Sequence, residues 1–331
     1  MQQKNSILVF GELLIRLSAA SARLADNSNV LSVFTGGSEA NVSASLAQWE
    51  LPVTYLTAVP ENVLVKTAVD ELSGLGVDVS KIWYNGSRIG LYFLLSANGL
   101  SSGEVVYDRK FSSFSTLKPG TIDWDQVLEG HTWFHFTALT PALNEHTAAL
   151  CLEAVTAAKR KGLTVSVDLN YRNRLWDYGV EPIHVMPQLA AQCDVIMGNI
   201  WAANKMLGTG VDPSLNRNTS VEAYIEHAAG SANEIFAKFP QCNHVANTFR
   251  FMDNPSHNLF YGTYHTRDDH YVSKIYETQE VIDRIGSGDA FMAGLIYGLV
   301  QHQSGQEIID RATGSGYQKL FVKGDFGDGS F

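Results

Sequence analysis

The middle of the chain alternates short apolar segments with longer segments of helical periodicity. Asn144 can cap a helix that carries three basic residues, 159–161, in its last turn and ends just before Gly162. Four apolar segments have the length and continuity of buried strands: TWFHFTAL (132–139), LTVSVDLN (163–170), CDVIMGN (193–199) and HVANTF (244–249). Strands that alternate with helices predict an α/β fold with a mainly parallel central sheet, covered by helices on both faces.

The first third of the chain instead shows the period of two that is typical of half-buried strands. GLYFLLSANGLSSGEVVYDR (90–109) consists of two alternating strands around Asn98-Gly99, a dipeptide that favours tight hairpin turns. NVLSVFTGG (29–37) adds another strand. We therefore predict a small antiparallel β lid, contributed by segments near 12–36 and 88–116. It would lie over the carboxyl ends of the parallel strands, where α/β proteins bind ligands, within one domain spanning residues 1–331.

A glycine-rich turn precedes an apolar helix late in the chain, in DRIGSGDAF (283–291). The segment from Asp289 to Val300 is apolar almost all round, so Gly286-Ser287-Gly288 would be a tight turn at the start of a buried helix. Backbone N–H groups there are unpaired and the helix dipole is positive, so the turn can bind an anion. Alternatively, Asp289 is only a first-turn helix residue and the glycines only shape the turn. A dinucleotide-binding motif fits the segment less well, because it needs a third glycine, a place in the first βα unit and an acidic residue about 20 residues further on.

Composition narrows the class of protein further. The 331 residues include 24 Lys+Arg and 34 Asp+Glu, a net charge of -10, and no basic run is long enough to bind nucleic acid or anionic lipid. Nucleic acid and anionic membranes are therefore not expected partners. With no signal-like start and no apolar stretch of about 18 residues, we expect a cytoplasmic location. Three widely spaced cysteines, Cys151, Cys193 and Cys242, predict reduced and mostly buried thiols.

Two motifs carry a family resemblance. DRIGSGDAF resembles the second sequence motif of the ribokinase-like (PfkB) carbohydrate kinases, and GGSEANVSASLAQW (36–49) resembles the first, in which an Asn after a Gly-Gly pair opens a helix. The order of elements also matches over nearly the whole chain, beginning with Gly11-Glu12 after the first strand. The resemblance implies a ribokinase-like fold, ATP and Mg²⁺ as cofactors, and Asp289 as catalytic base. The N–H groups of Gly286, Ser287 and Gly288 would then bind phosphate, as the chemistry of phosphoryl transfer requires.

Three further segments are similar to 2-keto-3-deoxygluconate kinases, which phosphorylate a terminal hydroxyl: VVYDRKFSS (105–113), DLNYRNRLW (168–176) and KGDF (323–326). The resemblance implies substrate contacts at Gly37, Tyr92, Tyr107, Arg109, Arg172 and Asp325. It implies nucleotide contacts at Asn170, Asn199, Thr248, Arg250, Gly286 and Gly288. A sugar acid suits the two arginines, because a guanidinium binds a carboxylate with two parallel hydrogen bonds. Alternatively, Arg109 pairs with a surface carboxylate and Arg172 caps a strand end.

The chain departs from the family pattern in three places, and other functions stay open. Ser113 and Phe114 stand where a small Ala often follows the lid arginine in sugar-acid kinases. Asn199-Ile200-Trp201-Ala202 lacks the glutamate of the usual Asn-x-x-Glu, so the metal-binding residues are unassigned. ANTFRF (246–251) lacks the usual glycine-rich nucleotide turn. The alternatives are a kinase of a neutral sugar such as fructose or ribose, and a catalytically inactive sugar-binding sensor. An exposed apolar face on the lid would favour a homo-oligomer.

Overall fold

The structure is a computed structural model that describes residues 5–19, 30–95 and 104–331. These residues form two separate β-sheets. The central sheet contains ten strands: β1 (Ile7–Phe10), β4 (Val53–Val59), β5 (Ile82–Tyr84), β8 (Trp133–Thr137), β9 (Thr164–Asp168), β10 (Val195–Met197), β11 (His244–Phe251), β12 (Asn258–His265), β13 (His270–Val272) and β14 (Tyr276–Thr278). The small sheet contains four described strands: β2 (Leu14–Ala19), β3 (Ser32–Gly36), β6 (Gly90–Leu95) and β7 (Glu104–Asp108).

Most of the central sheet is parallel, as the sequence predicts. The neighbouring strands β11, β10, β9, β8, β1, β4 and β5 run parallel in that order, and β12, β13 and β14 add an antiparallel edge. The four predicted apolar segments form β8 to β11. The sheet therefore grows in chain order from β8 towards β11, while β1 lies on the other side of β8.

Helices cover both faces of the central sheet. Their bounds are α1 (Ser38–Gln48), α2 (Val63–Gly74), α3 (Trp124–Val127), α4 (Glu145–Arg160), α5 (Met186–Ala190), α6 (Ile200–Leu207), α7 (Val221–Lys238), α8 (Ser287–Val300) and α9 (Gly305–Gln318). One core contains residues of α1, α2, α8 and α9, and another contains residues of α3 to α7. Strand β1 shows why both faces must be covered, because Ile7 and Val9 enter the first core and Leu8 and Phe10 the second.

The predicted helix caps can be compared with the observed ones. Asn144 caps α4 as predicted, in a reciprocal capping box with Thr147. The prediction that Asn41 opens α1 is wrong, because the helix begins at Ser38 and Asn41 lies in its first turn. Gly37 is the N-cap, with φ of 119°, where a Cβ atom would collide with the Glu12 carbonyl oxygen.

The small sheet follows the order β3, β2, β6, β7. Its two outer pairs are antiparallel, whereas the central pair of β2 and β6 is parallel. The predicted turn at Asn98-Gly99 lies outside the described residues. On one face the register aligns Val33, Leu17, Phe93 and Val106 in a single row across all four strands. Val33 and Val106 are exposed and the other two are half-buried, so this face carries an apolar stripe.

Two further expectations concern the thiols and the membrane. Cys151, Cys193 and Cys242 are all buried and free, as predicted. In the described part of the chain, no helix has the length and apolar character that crossing a membrane requires.

Candidate active site

A cavity of about 560 Å³ lies among the carboxyl ends of β9 to β11, the small sheet and the start of α8. Its lining includes thirteen of the fourteen residues that the sequence analysis assigned to the site: Gly37, Tyr92, Tyr107, Arg109, Asn170, Arg172, Asn199, Thr248, Arg250, Gly286, Gly288, Asp289 and Asp325. The fourteenth, Ser287, is buried and contacts Arg250 through its hydroxyl. The fold thus brings together residues from the whole length of the sequence.

Asp289 is buried at the start of α8, and both of its carboxylate oxygens accept hydrogen bonds. Ser38 Oγ donates to Oδ1, and Asn41 Nδ2 donates to Oδ2 at 2.6 Å. Burial raises the pKa of Asp289, while these two hydrogen bonds and the nearby charges of Arg172 and Lys319 oppose that rise. Each oxygen keeps a further acceptor position, so the carboxylate can still accept a hydrogen bond from a bound hydroxyl group.

The turn before α8 can be formed only by glycine at its first position. Gly286 has φ of 84° and is the N-cap, and a Cβ atom there would collide with the carbonyl oxygen of Asp325. Ser287 N–H donates to the Arg284 carbonyl at 3.3 Å, so an anion site would rest mainly on the N–H groups of Gly286 and Gly288. At Gly288 a Cβ would meet nothing within 4 Å, which shows open space beside the turn.

Asp325 connects the small sheet to the body of the protein. Tyr92 OH donates to Oδ1 of Asp325, and Arg16 Nε lies 3.0 Å from Oδ2, although this pair is aligned too poorly for a hydrogen bond. Arg16 also pairs with Asp283 at 2.7 Å. Burial raises the pKa of Asp325 to about 6, against the opposing charge of Arg16. Strands β2 and β6 are therefore held over the cavity by a predicted substrate residue.

The two arginines predicted to bind a carboxylate differ in their surroundings. Arg109 Nε donates to Oε2 of Glu12 at 2.6 Å, and Glu12 also accepts from Ser112 Oγ. The pairing considered as an alternative is therefore present, but the carboxylate is buried rather than at the surface. Arg109 Nη1 is also buried and has no hydrogen-bond partner among the described residues. Arg172 is exposed, and its Nη1 donates to the Tyr171 carbonyl at 3.0 Å.

The end of β9 places two polar residues beside Asp289. Asn170 has φ of 22° and donates from Nδ2 to Ser38 Oγ at 3.1 Å, and its N–H donates to Asp168 Oδ1 at 2.9 Å. Burial, and then the neighbouring charge of Asp289, raise the pKa of Asp168 to about 7. Asp168 lines the cavity, and the sequence analysis did not assign it a role.

Asn199, Thr248 and Arg250 line another part of the cavity. Asn199 Oδ1 accepts from Ala202 N at 2.8 Å, so this side chain caps α6. Arg250 Nη2 donates to Ser287 Oγ at 2.6 Å. In the described ranges, no group of three or more His, Cys, Asp or Glu residues could hold a metal ion by itself.

Sequence reasoning missed several residues that shape the site. Ser38 and Asn41 lie within the quoted first motif, yet only the fold shows that they hold Asp289. Arg16 carries no local signal, since its partners lie far along the chain. Lys319 is buried near Gly286 and donates from Nζ to the Val322 carbonyl at 2.8 Å. Burial lowers the pKa of Lys319 to about 8.

A buried carboxylate at the glycine-rich start of a helix, beneath a small sheet on a parallel α/β body, is the arrangement that phosphoryl transfer to a small molecule requires. The pfkB family carbohydrate kinase profile matches residues 4–237 and 260–325. The chain belongs to this family, and it is a carbohydrate kinase with a ribokinase-like fold.

Individual relatives agree with this family. The chain is 25% identical to a 2-dehydro-3-deoxygalactonokinase from Haloferax volcanii, over 96% of this chain and 92% of the relative. It is 23% identical to a 2-dehydro-3-deoxygluconokinase from Bacillus subtilis, over 87% and 81%. A crystal structure of 2-dehydro-3-deoxygluconokinase from Thermotoga maritima is 34% identical, with a TM-score of 0.87 and coverage of 97% of this chain and 95% of that one.

Proposed function

We propose that the protein transfers the γ-phosphoryl group of ATP to the terminal hydroxyl of 2-keto-3-deoxygluconate, which is also named 2-dehydro-3-deoxygluconate. The observation that carries this proposal is Asp289, a buried carboxylate held by Ser38 and Asn41 at the start of α8 in the common cavity. Sugar-acid kinase names among the relatives support the same substrate class.

The reaction needs alignment more than covalent chemistry. The sugar hydroxyl would donate to Asp289, which accepts its proton as the oxygen attacks the γ-phosphorus. ADP leaves with the electrons of the broken P–O bond. N–H groups at Gly286 and Gly288, with the dipole of α8, would stabilise the charge on the phosphate.

Arg109 and Arg172 support a sugar acid as substrate. Both line the cavity, and the buried Nη1 of Arg109 is a donor without a partner among the described residues. A buried donor without a partner costs free energy, which a substrate carboxylate would recover.

The second candidate is a kinase of a neutral sugar, and one contact favours it. Glu12 pairs with Arg109 at 2.6 Å, and both side chains are buried. Glu12 already neutralises the charge of Arg109. The buried pair therefore carries no net charge, and it needs no carboxylate from the substrate.

Mg²⁺ fits the donors at the end of β9. The Asp168 carboxylate and the Asn170 amide line the cavity, and Mg²⁺ is usually held by one or two carboxylates together with substrate phosphates. Asp168 and Asp289 repel each other, and this repulsion contributes to the raised pKa of Asp168. We propose that Asp168 and Asn170 hold the ion, which supplies charge neutralisation at the phosphates without the missing glutamate at position 202.

We also propose a cytoplasmic homo-oligomer. The apolar row of Val33, Leu17, Phe93 and Val106 lies on the face of the small sheet opposite Tyr92 and Tyr107, which line the cavity. A second copy presents the same row, as a two-fold interface requires. Replacing Val33 and Val106 with Glu should lower the mass that light scattering reports, and an unchanged mass would contradict this interface.

A coupled ADP-release assay tests the function. The panel contains 2-keto-3-deoxygluconate, 2-keto-3-deoxygalactonate, fructose and ribose, and mass spectrometry identifies each product. We expect turnover of 2-keto-3-deoxygluconate to exceed that of fructose and ribose by at least a hundredfold. Equal or better turnover of a neutral sugar would reject the sugar acid. Sugar binding without any turnover would indicate the inactive sensor.

A further inference from the structure

Arg250 occupies an unusual position for a cation. It lies near the end of β11, opposite Phe260 of β12, and its guanidinium reaches Ser287, the first residue of α8. The N-terminus of a helix carries positive partial charge, so a cation there is unfavourable in the absence of an anion. A bound anion at this helix start would offset the unfavourable interaction between the two positive groups.

Other charges around Arg250 lead to the same conclusion. Burial, and then the charges of Arg172 and Arg284, lower the pKa of Arg250 to about 10, while the charge of Asp289 opposes them. Within the described residues, Arg250 Nε is buried and donates to nothing. An anion placed between these guanidinium groups and the turn at Gly286 would satisfy that donor and relieve the repulsion.

We propose that Arg250 is a catalytic residue that contacts the transferring phosphate, a role that rests on the proposed phosphoryl transfer. The sugar oxygen forms a bond to the γ-phosphorus, the bond to the β-phosphate oxygen breaks, and ADP takes the electron pair. The hydroxyl proton goes to Asp289. Arg250 neither gains nor loses a proton, but its N–H groups neutralise the equatorial phosphate oxygens in the transition state.

The test compares the parent enzyme with Arg250→Ala and Arg250→Lys. We expect kcat of Arg250→Ala to fall by about 10²- to 10³-fold, the loss that follows removal of one preorganised donor. The KM for ATP should change by less than tenfold, because the contact forms fully only in the transition state. Added guanidinium ion should restore part of the activity of Arg250→Ala and none of Arg250→Lys. Binding of ADP with aluminium fluoride should weaken more than binding of ADP alone.

Arg217 provides the matched control. It is an exposed arginine that pairs with Asp253 at 2.8 Å outside the cavity, so Arg217→Ala should keep the parent kcat. Arg250 also lies 5.8 Å from the Phe260 ring centroid, and Arg250→Lys keeps a long cationic side chain there if Arg250→Ala fails to fold. A kcat within threefold of the parent in both variants, or a rise in the KM for ATP alone, would overturn the proposal.

The assay uses whichever carbohydrate the parent phosphorylates best. A wrong sugar acid therefore rejects the proposed substrate and leaves the Arg250 comparison intact. If the parent enzyme phosphorylated no carbohydrate and did not hydrolyse ATP, both proposals would be overturned.

Discussion

Glu39→Gln should make the protein more stable at alkaline pH. Glu39 is buried in the first turn of α1, and its Oε1 accepts from Thr137 N, Thr137 Oγ1 and Thr140 Oγ1. Burial outweighs these hydrogen bonds and raises the pKa of Glu39 from 4.5 to about 7. Glutamine keeps the accepting oxygen and removes the buried charge.

The magnitude follows from the linkage between protonation and folding. In the unfolded chain Glu39 ionises near pH 4.5, whereas in the folded protein it ionises near pH 7. The folded state therefore binds more protons between these values, and its stability falls as the pH rises through this window. Each unit of difference between the two pKa values corresponds to about 1.36 kcal/mol. The free energy of unfolding therefore falls by about 3 kcal/mol in total, and this loss is complete above pH 7. The Gln variant should therefore match the parent near pH 4.5 and exceed its stability by up to about 3 kcal/mol at pH 8.

Urea unfolding at pH 5 and pH 8 measures this difference. Arg109 lowers the pKa of Glu39. Glu39 in turn raises the pKa values of Tyr55, Cys151 and Asp168. Asp168 and Asp325 also have raised pKa values, so some pH dependence should remain in the variant. The quantity to compare is thus the change in the free energy of unfolding between pH 5 and pH 8, in the parent and in the variant. The m-value should be the same in all four measurements.

Glu307→Gln is the matched control. Glu307 also lies in the first turn of a helix, but it is exposed and its hydrogen bonds with Ser304 lower its pKa. Its contribution to stability is lost only at acid pH, so this variant should keep the parent slope between pH 5 and pH 8. If Glu39→Gln lost equal stability at both pH values, the buried carboxylate would be ionised and compensated by its surroundings, and the reasoning would fail.

Three further outcomes test the site. Asp289→Asn should lower kcat by about 10²- to 10⁴-fold with substrate affinity nearly unchanged, because the amide cannot accept the proton; activity within tenfold of the parent would reject the base. Gly286→Ala should cost about 2 kcal/mol or more in thermal unfolding, and clearly more than Gly120→Ala, where φ is 75° but no atom lies within 4 Å of the new Cβ. Arg109→Ala and Arg172→Ala should each lower kcat/KM for the sugar acid by the equivalent of about 2 to 5 kcal/mol of transition-state free energy, with partial rescue by Lys; equal losses on a neutral analogue, in which the substrate carboxylate is reduced to an alcohol, would remove the basis for a sugar acid.

The sequence predicted those parts of the structure that local patterns determine. The apolar segments became β8 to β11, Asn144 capped α4, and the glycines at 286 and 288 opened α8. Each of these features depends on the periodicity or backbone freedom of a few consecutive residues. The predicted start of α1 was wrong, because Gly37 forms the N-cap and the helix begins at Ser38 rather than at Asn41.

Contacts between distant residues could not be predicted. Glu12 and Arg109 are 97 positions apart, and nothing local to either indicates that they form a buried pair. The same applies to Arg16 with Asp283, which are 267 positions apart. Because β2 and β6 pair in parallel, two antiparallel strand pairs join into one sheet, and alternation within each pair does not reveal that join.

The hydrogen bonds of Asp289 have a consequence for the order of synthesis. Its partners Ser38 and Asn41 in α1 are 251 and 248 positions away. These hydrogen bonds can therefore form only after most of the chain has been translated. Strands β8 to β11 can pair one after another as they leave the ribosome, each beside its predecessor. Asp289, the proposed acceptor for the sugar proton, is synthesised only with α8. A translation product that stops before α8 lacks both Asp289 and the turn at Gly286, so on the proposed function it could not transfer phosphate from ATP.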